Sequence, residues 1–104
     1  MGLLDQIRAA RRAHEGLRSS PPSRPHLAQK SDHYRAVKVV LDQLWEAADQ
    51  AEAVVPPADV RRAVRRLTVD AEYFAGLSDE EGLRDPAEMM AEYDRLERAF
   101  AAGG

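Results

Sequence analysis

The chain contains no cysteine among its 104 residues. A disulfide, a zinc site built on thiolates and a cysteine nucleophile are therefore excluded, and the fold must rest on its apolar core. Long apolar runs are missing as well, since no stretch of about 18 consecutive apolar residues occurs. The N-terminus mixes charged with apolar residues where a secretory signal would be continuously apolar. These absences predict a soluble cytoplasmic protein without a membrane segment.

An excess of positive charge is also lacking. The chain carries 15 basic and 18 acidic side chains, a net charge of −3, which argues against a protein that is basic all over and binds nucleic acid. The charge is unevenly distributed. Six basic against two acidic residues give residues 1–30 a charge of +4, whereas nine against sixteen give residues 31–104 a charge of −7. The first segment is therefore complementary to the rest of the chain.

Proline and glycine are few, with six of each, and they flank periodic segments rather than interrupt them. Gly16, Gly76 and Gly82 each precede a leucine, a pattern that predicts the end of a helix. Asp85 followed by Pro86, with Glu88 three residues after the aspartate, predicts the start of a helix at Pro86. These signals divide the chain into four helical segments.

The predicted helices carry apolar residues at steps of three and four residues, as the seam of a helix bundle does. Their approximate bounds are Leu3 to Glu15, Ser31 to Val54, Pro57 to Ala75 and Pro86 to Ala102. The sequence therefore predicts an all-α fold, in which an antiparallel three-helix bundle core is preceded by an amphipathic N-terminal helix on a Pro/Ser linker.

This prediction divides the chain into three parts. They are an amphipathic basic N-terminal helix (1–17), a Pro/Ser-rich linker (18–30) and a helical bundle domain (31–104). Three matched apolar stripes in 31–104 predict a core that closes by itself. The first helix is expected to dock on its own bundle or on a neighbour, and we expect residues 1–30 to serve assembly rather than folding.

Charges in the second and third helices are arranged against the helix dipole, with basic residues early and acidic residues late. If the two helices fold back on each other at Pro56 and Pro57, the acidic end of one meets the basic start of the other. We therefore predict an antiparallel hairpin in which Glu46, Asp49 or Glu52 reaches the arginines of residues 61–66.

Two surfaces are candidates for binding a partner. Valine and tyrosine extend a line of arginines on the third helix, and interface hot spots use arginine and tyrosine in this way. On the first helix, a thin apolar stripe is accompanied by arginines. The predicted partner-binding residues are Leu3, Ile7, Arg8, Arg11, Arg12, Leu17, Arg62, Arg66, Val69 and Tyr73. The alternatives are that the arginines pair within the chain, that Tyr73 covers the flank of its own bundle, and that the first helix packs there.

Catalytic patterns are not found. His14, His26 and His33 do not have the spacing of metal ligands, the serines of the linker have no base held beside them, and no glycine-rich phosphate loop occurs. We predict no catalytic residue, no metal site and no cofactor.

Together, these patterns predict a non-enzymatic small helical interaction protein, an adaptor, assembly or regulatory subunit. It would bind a protein partner or itself through the N-terminal helix, the linker and the Arg/Tyr-bearing helix face. The alternative is a nucleic-acid-binding regulator that uses the cluster from Arg61 to Arg66 and the basic N-terminus.

Overall fold

The structure of the chain is a computed structural model that describes residues 2–19, 27–51 and 55–101. These residues form four α-helices and one short 3-10 helix and contain no strand, so the predicted all-α fold is confirmed. Residues 20–26 of the predicted linker, and Glu52 of the predicted hairpin, lie outside the described residues. The helices are α1 (Leu3–Ser19), α2 (Leu27–Glu46), the 3-10 helix (Ala48–Ala51), α3 (Pro57–Phe74) and α4 (Pro86–Ala101).

The end of α3 follows the predicted glycine pattern. Gly76 has φ of 78°, a left-handed conformation that glycine adopts without a steric penalty. Its N–H donates to the carbonyl oxygen of Tyr73 at 3.1 Å, and the N–H of Leu77 donates to that of Glu72 at 2.9 Å. These two bonds form the reversal that terminates helices at glycine, and the predicted end at this glycine is confirmed.

The other two predicted helix ends are wrong. Gly16 lies inside α1, which continues to Ser19, and a Cβ atom placed on it would come within 2.9 Å of the His33 ring of α2. Gly82 lies in the non-helical segment between α3 and α4, where it approaches the backbone of Asp70. At both positions glycine allows another segment to approach closely, because it has no Cβ atom. The glycine–leucine pattern is explained here by packing and not by the end of a helix.

The predicted start of α4 at Pro86 is confirmed. The Asp85 Oδ1 atom accepts a hydrogen bond from the N–H of Glu88 at 3.0 Å, and the Glu88 Oε2 atom accepts one from the N–H of Arg84 at 2.6 Å. The first bond satisfies a backbone donor that the first turn of a helix leaves unpaired, and the second ties the residue before Asp85 to that turn.

Helix α1 docks on its own bundle, which is one of the two placements that the sequence left open. It packs mainly against α2 and α4, and its residues Ile7, Ala10 and Leu17 are buried in the same core as the other helices. Four helices therefore share one core. The expectation that residues 31–104 close a core without α1 stays a prediction, and the share that Ile7, Ala10 and Leu17 have in the core argues against it.

Helices α2 and α3 run in opposite directions, as predicted. At one end, Arg61 lies 3.7 Å from Asp49 and its guanidinium lies 5.6 Å from the centre of the Trp45 ring. At the other end, Glu72 of α3 is close enough to Tyr34 of α2 for its charge to act on the hydroxyl. Burial first, and then the carboxylate of Glu72, raise the pKa of Tyr34. The predicted contact of Glu46, Asp49 or Glu52 with the arginines of residues 61–66 is confirmed by the pair of Arg61 with Asp49, which lies in the 3-10 helix after α2.

None of the helices in the described part of the chain combines the length and the apolar character that crossing a membrane requires.

Candidate functional site

The apolar residues of α1 that were predicted to meet a partner belong to the core of this chain. Ile7 and Leu17 have no exposed surface, and Leu3 is half-buried against the same core. The physical reason is that their helical spacing fits the space between α2 and α4, which buries them intramolecularly. In this structure these three side chains pack in or against the core of their own chain.

Two of the three α1 arginines already have acidic partners on α4. The Arg8 Nε atom lies 2.9 Å from Glu97 Oε1, and the Arg11 Nη1 atom lies 2.6 Å from Glu97 Oε2 and 3.5 Å from Asp94. These pairs hold α1 against α4. Arg12 is exposed and forms no ion pair with the other described side chains.

Three of the four arginines between residues 61 and 66 have acidic neighbours within the chain, as the alternative interpretation of that cluster predicted. Two of the contacts are long and exposed, and such pairs contribute little stability. The third is short and joins α3 to α4. The pairs are Arg61 with Asp49 at 3.7 Å, Arg62 with Asp59 at 3.6 Å and Arg66 with Glu92 at 2.9 Å.

Arg65 differs from its neighbours, because it has no ion pair among the described residues. Its guanidinium lies 5.6 Å from the centre of the Trp45 ring, within the range of a cation–π contact. Arg65 and Trp45 line a groove between α2 and α3 together with Thr68 and Val69. A second groove, between α3 and residues 80–83, is also lined by Arg65 and Val69. Val69 therefore lies on the ridge between two grooves.

Tyr73 is the remaining predicted contact residue of α3. Its side chain is 37% exposed, and the edge of its ring packs against Phe74 with 5.2 Å between the ring centres. Tyr73 thus covers part of its own bundle and presents the rest of its ring to the surface. We call the outward residues Arg62, Arg65, Val69 and Tyr73 the α3 face.

The outer side of α2 carries the opposite charge. Val39 is 54% exposed. It lines a shallow groove together with Asp42 and Glu46. Glu46 forms no ion pair with any described side chain, whereas Asp42 pairs with Lys38. We call the outward residues Val39, Asp42 and Glu46 the α2 face.

A buried polar network, which the sequence did not predict, joins three helices inside the core. The His14 Nδ1 atom lies 2.7 Å from the hydroxyl of Tyr93, and its Nε2 atom lies 2.7 Å from Asp70 Oδ2. Arg18 donates to both carboxylate oxygens of Asp70, at 2.8 and 2.9 Å. The N–H of Leu83 donates to Asp70 Oδ1 at 3.0 Å. Asp70 therefore connects α1, α3 and the segment that leads to α4.

The surroundings of Asp70 and Tyr93 set the charge states of these two side chains. Burial by itself raises the pKa of Asp70, but hydrogen bonds from His14, Arg18 and the Leu83 amide outweigh burial and lower that pKa below its ordinary value. Burial, and then the charge of Asp70, raise the pKa of Tyr93 far above its ordinary value. Tyr93 therefore stays neutral, and His14 Nε2–H donates to the Asp70 carboxylate. The Tyr93 hydroxyl and His14 Nδ1 share a second hydrogen bond.

Tyrosine, histidine and aspartate follow one another here as they do in a proton relay. In this network, however, their polar atoms form hydrogen bonds with one another and do not face an open site. His14, Asp70 and Tyr93 have no exposed surface, and both ring nitrogens of His14 are engaged within the network. Such a network orients helices, because an incorrect packing would leave a charge buried without a partner. We assign it to the positioning of α1 against α3 and α4.

A second buried acid lies at the contact of α3 with α4. Glu92 is 3% exposed, and its Oε1 atom lies 2.9 Å from Arg66 and 4.0 Å from Arg95. Its Oε2 atom is buried and has no hydrogen-bond partner among the described residues. Arg66 is therefore held by α4, which reduces its availability to a partner.

Across residues 2–19, 27–51 and 55–101, no three histidine, aspartate or glutamate side chains come together in a way that would hold a metal ion. In comparisons with protein-family models, with curated proteins and with solved structures, nothing matches this chain.

Proposed function

We propose that this chain is a cytoplasmic, non-enzymatic helical interaction protein, an adaptor, assembly or regulatory subunit, that binds a protein partner through the outer surfaces of α2 and α3. The observation that carries the proposal is the ridge on α3, where Val69 and Arg65 line grooves on both sides. Grooves beside a ridge accept the side chains of a facing helix, as in ordinary helix packing.

The residue types on this surface support the same proposal. Arginine and tyrosine are enriched at the centres of interfaces, because each combines apolar area with hydrogen-bonding groups. Arg65 lacks an ion pair among the described residues, and Tyr73 and Val39 leave large fractions of their side chains exposed. Docking a partner would cover apolar surface and supply Arg65 with a charged or polar neighbour.

Binding to nucleic acid is the weaker candidate. A phosphate backbone is held by several unpaired cations, each of which releases a counterion. Arg61, Arg62 and Arg66 already have acidic neighbours in the chain, and the adjacent α2 face would repel phosphate through Asp42 and Glu46. We expect no gel shift with DNA or RNA tighter than about 1 μM at physiological salt. A tighter complex that Arg62→Ala and Arg66→Ala weaken would favour this candidate instead.

The proposal is tested by photo-crosslinking in the cells that produce the protein. A photo-reactive phenylalanine derivative at Val69 should give discrete, light-dependent protein adducts, and these should disappear when Glu46 and Arg65 are both changed to alanine. The matched control places the same group at Arg12, which is exposed on α1. Equal adducts from both positions, or none from Val69, would contradict the proposal.

A further inference from the structure

We infer that the partner of this surface is a second copy of the same chain, related by a two-fold axis that runs between α2 and α3 and parallel to them. The inference rests on the proposed function, since it uses the same α2 and α3 faces. It commits to a symmetric dimer in which α2 of one copy lies over α3 of the other.

The contacts inside one chain show which residues of the two antiparallel helices lie at equal height. Arg61 is beside Asp49. The Trp45 ring lies under both Arg61 and Arg65. Near the other end, the pKa of Tyr34 is raised by burial and then by the charge of Glu72. Both helices rise by about 1.5 Å per residue, so these contacts fix the register along their whole length. In this register Val39 is level with Val69, Asp42 with Arg65, and Glu46 with Arg62.

A two-fold rotation about an axis parallel to the helices does not change the position of a residue along that axis. It exchanges the α2 side of the surface with the α3 side. Each α3 therefore meets the α2 of the other copy in the same register. The partner's Val39 comes opposite Val69, the partner's Asp42 opposite Arg65, and the partner's Glu46 opposite Arg62. Because the axis is two-fold, each of these pairs forms twice.

Charge complementarity favours a second copy over a uniformly acidic or a uniformly basic partner. An acidic partner would suit Arg62 and Arg65 but would be repelled by Asp42 and Glu46, and a basic partner would meet the reverse problem. A second copy presents both charges in the required order. Glu46 and Arg65, which have no ion pair with the described side chains of their own chain, would each gain an oppositely charged neighbour.

The size of the surface is adequate for a modest dimer. Helices α2 and α3 contain 20 and 18 residues, which corresponds to about 27–30 Å of length. A face two helices wide and of this length reaches the lower end of specific interfaces, which bury about 1,200 Å² in total. We therefore expect a reversible dimer rather than an obligate one.

The test uses charge reversals that can be exchanged between copies. Sedimentation equilibrium of the full chain over a dilution series should show a monomer–dimer equilibrium. Glu46→Arg and Arg62→Glu, which reverse the two members of one predicted pair, should each raise the dimer dissociation constant by at least about tenfold, because each places like charges in contact twice. Mixing the two variants should restore the dimer, since every reversed residue then meets an opposite charge.

The matched controls are Glu15→Arg and Arg12→Glu on the exposed side of α1, which should leave the dissociation constant unchanged. Far-UV circular dichroism and melting temperature report whether each variant is folded. A dimer that neither Glu46→Arg nor Arg62→Glu weakens, or a mixture that does not recover, would overturn the inference.

The inference and the proposed function can fail separately. A wild-type chain that stays monomeric at every concentration, together with Val69 adducts to a different protein, would overturn the dimer and support the interaction role. A monomer without Val69 adducts would overturn both.

Discussion

The Nε2 atom of His14 lies 2.7 Å from Oδ2 of Asp70, and neither side chain has any exposed surface. This contact joins the first helix to the third across 56 residues of sequence. It makes the docking of α1 specific, because another orientation would bury the Asp70 charge without its donors. The dimer surface proposed above depends on it indirectly, since α1 supports the core on which α2 and α3 rest.

Replacing Asp70 should be strongly destabilising. We expect Asp70→Ala to lower the free energy of unfolding by about 3–5 kcal/mol, because Arg18 and His14 lose their acceptor inside the core. The measurement is urea unfolding followed by circular dichroism. Asp79→Ala is the matched control, since Asp79 is exposed, and it should change stability by less than about 0.5 kcal/mol. Equal effects would show that the network contributes nothing.

Acid should remove the contribution of Asp70. Its pKa is lowered in the folded chain, below an unfolded value of about 3.9. The stabilisation is therefore complete above the unfolded value and is lost as the pH falls through the folded pKa. We expect melting temperature to fall between about pH 5 and pH 2, and to fall less steeply in Asp70→Asn. Parallel profiles for the two proteins would contradict this.

The two glycines near α3 should respond differently to alanine. A Cβ atom on Gly82 would lie 2.5 Å from the Cα of Asp70, whereas Gly76 has open space but a positive φ. We expect Gly82→Ala to cost about 1–3 kcal/mol by displacing Asp70, and Gly76→Ala about 1–2 kcal/mol by strain alone. In double-mutant cycles with Asp70→Ala, measured by chemical unfolding, Gly82→Ala should be non-additive and Gly76→Ala additive.

Deleting residues 1–30 should prevent stable folding of the remainder. The deletion removes Ile7 and Leu17 from the core and leaves Asp70 and Tyr93 without His14. We expect the 31–104 fragment to show low helicity and no cooperative melting transition by circular dichroism. A synthetic peptide of residues 1–19 added in trans should restore both. A fragment that folds alone would reinstate the independent bundle that the sequence predicted.

The sequence by itself determined the fold class and most of the helices, because these depend on local physics. Apolar residues at steps of three and four define a helix without reference to the rest of the chain. The Gly76 end and the Pro86 start come from backbone groups within a few residues. The contact of Asp49 with Arg61 was predictable because a short connection forces neighbouring helices to meet.

Only the tertiary structure decided where α1 docks and what fills the core beside it. His14 continues the α1 stripe between Ala10 and Leu17, and Asp70 lies among the apolar residues of α3. The signal available in the sequence was that each of these polar residues lies within an apolar stripe. No local feature of the sequence indicates that His14 and Asp70 contact each other. Their partnership requires helices far apart in sequence to pack first, since only burial makes an unpaired carboxylate costly and its hydrogen bonds decisive.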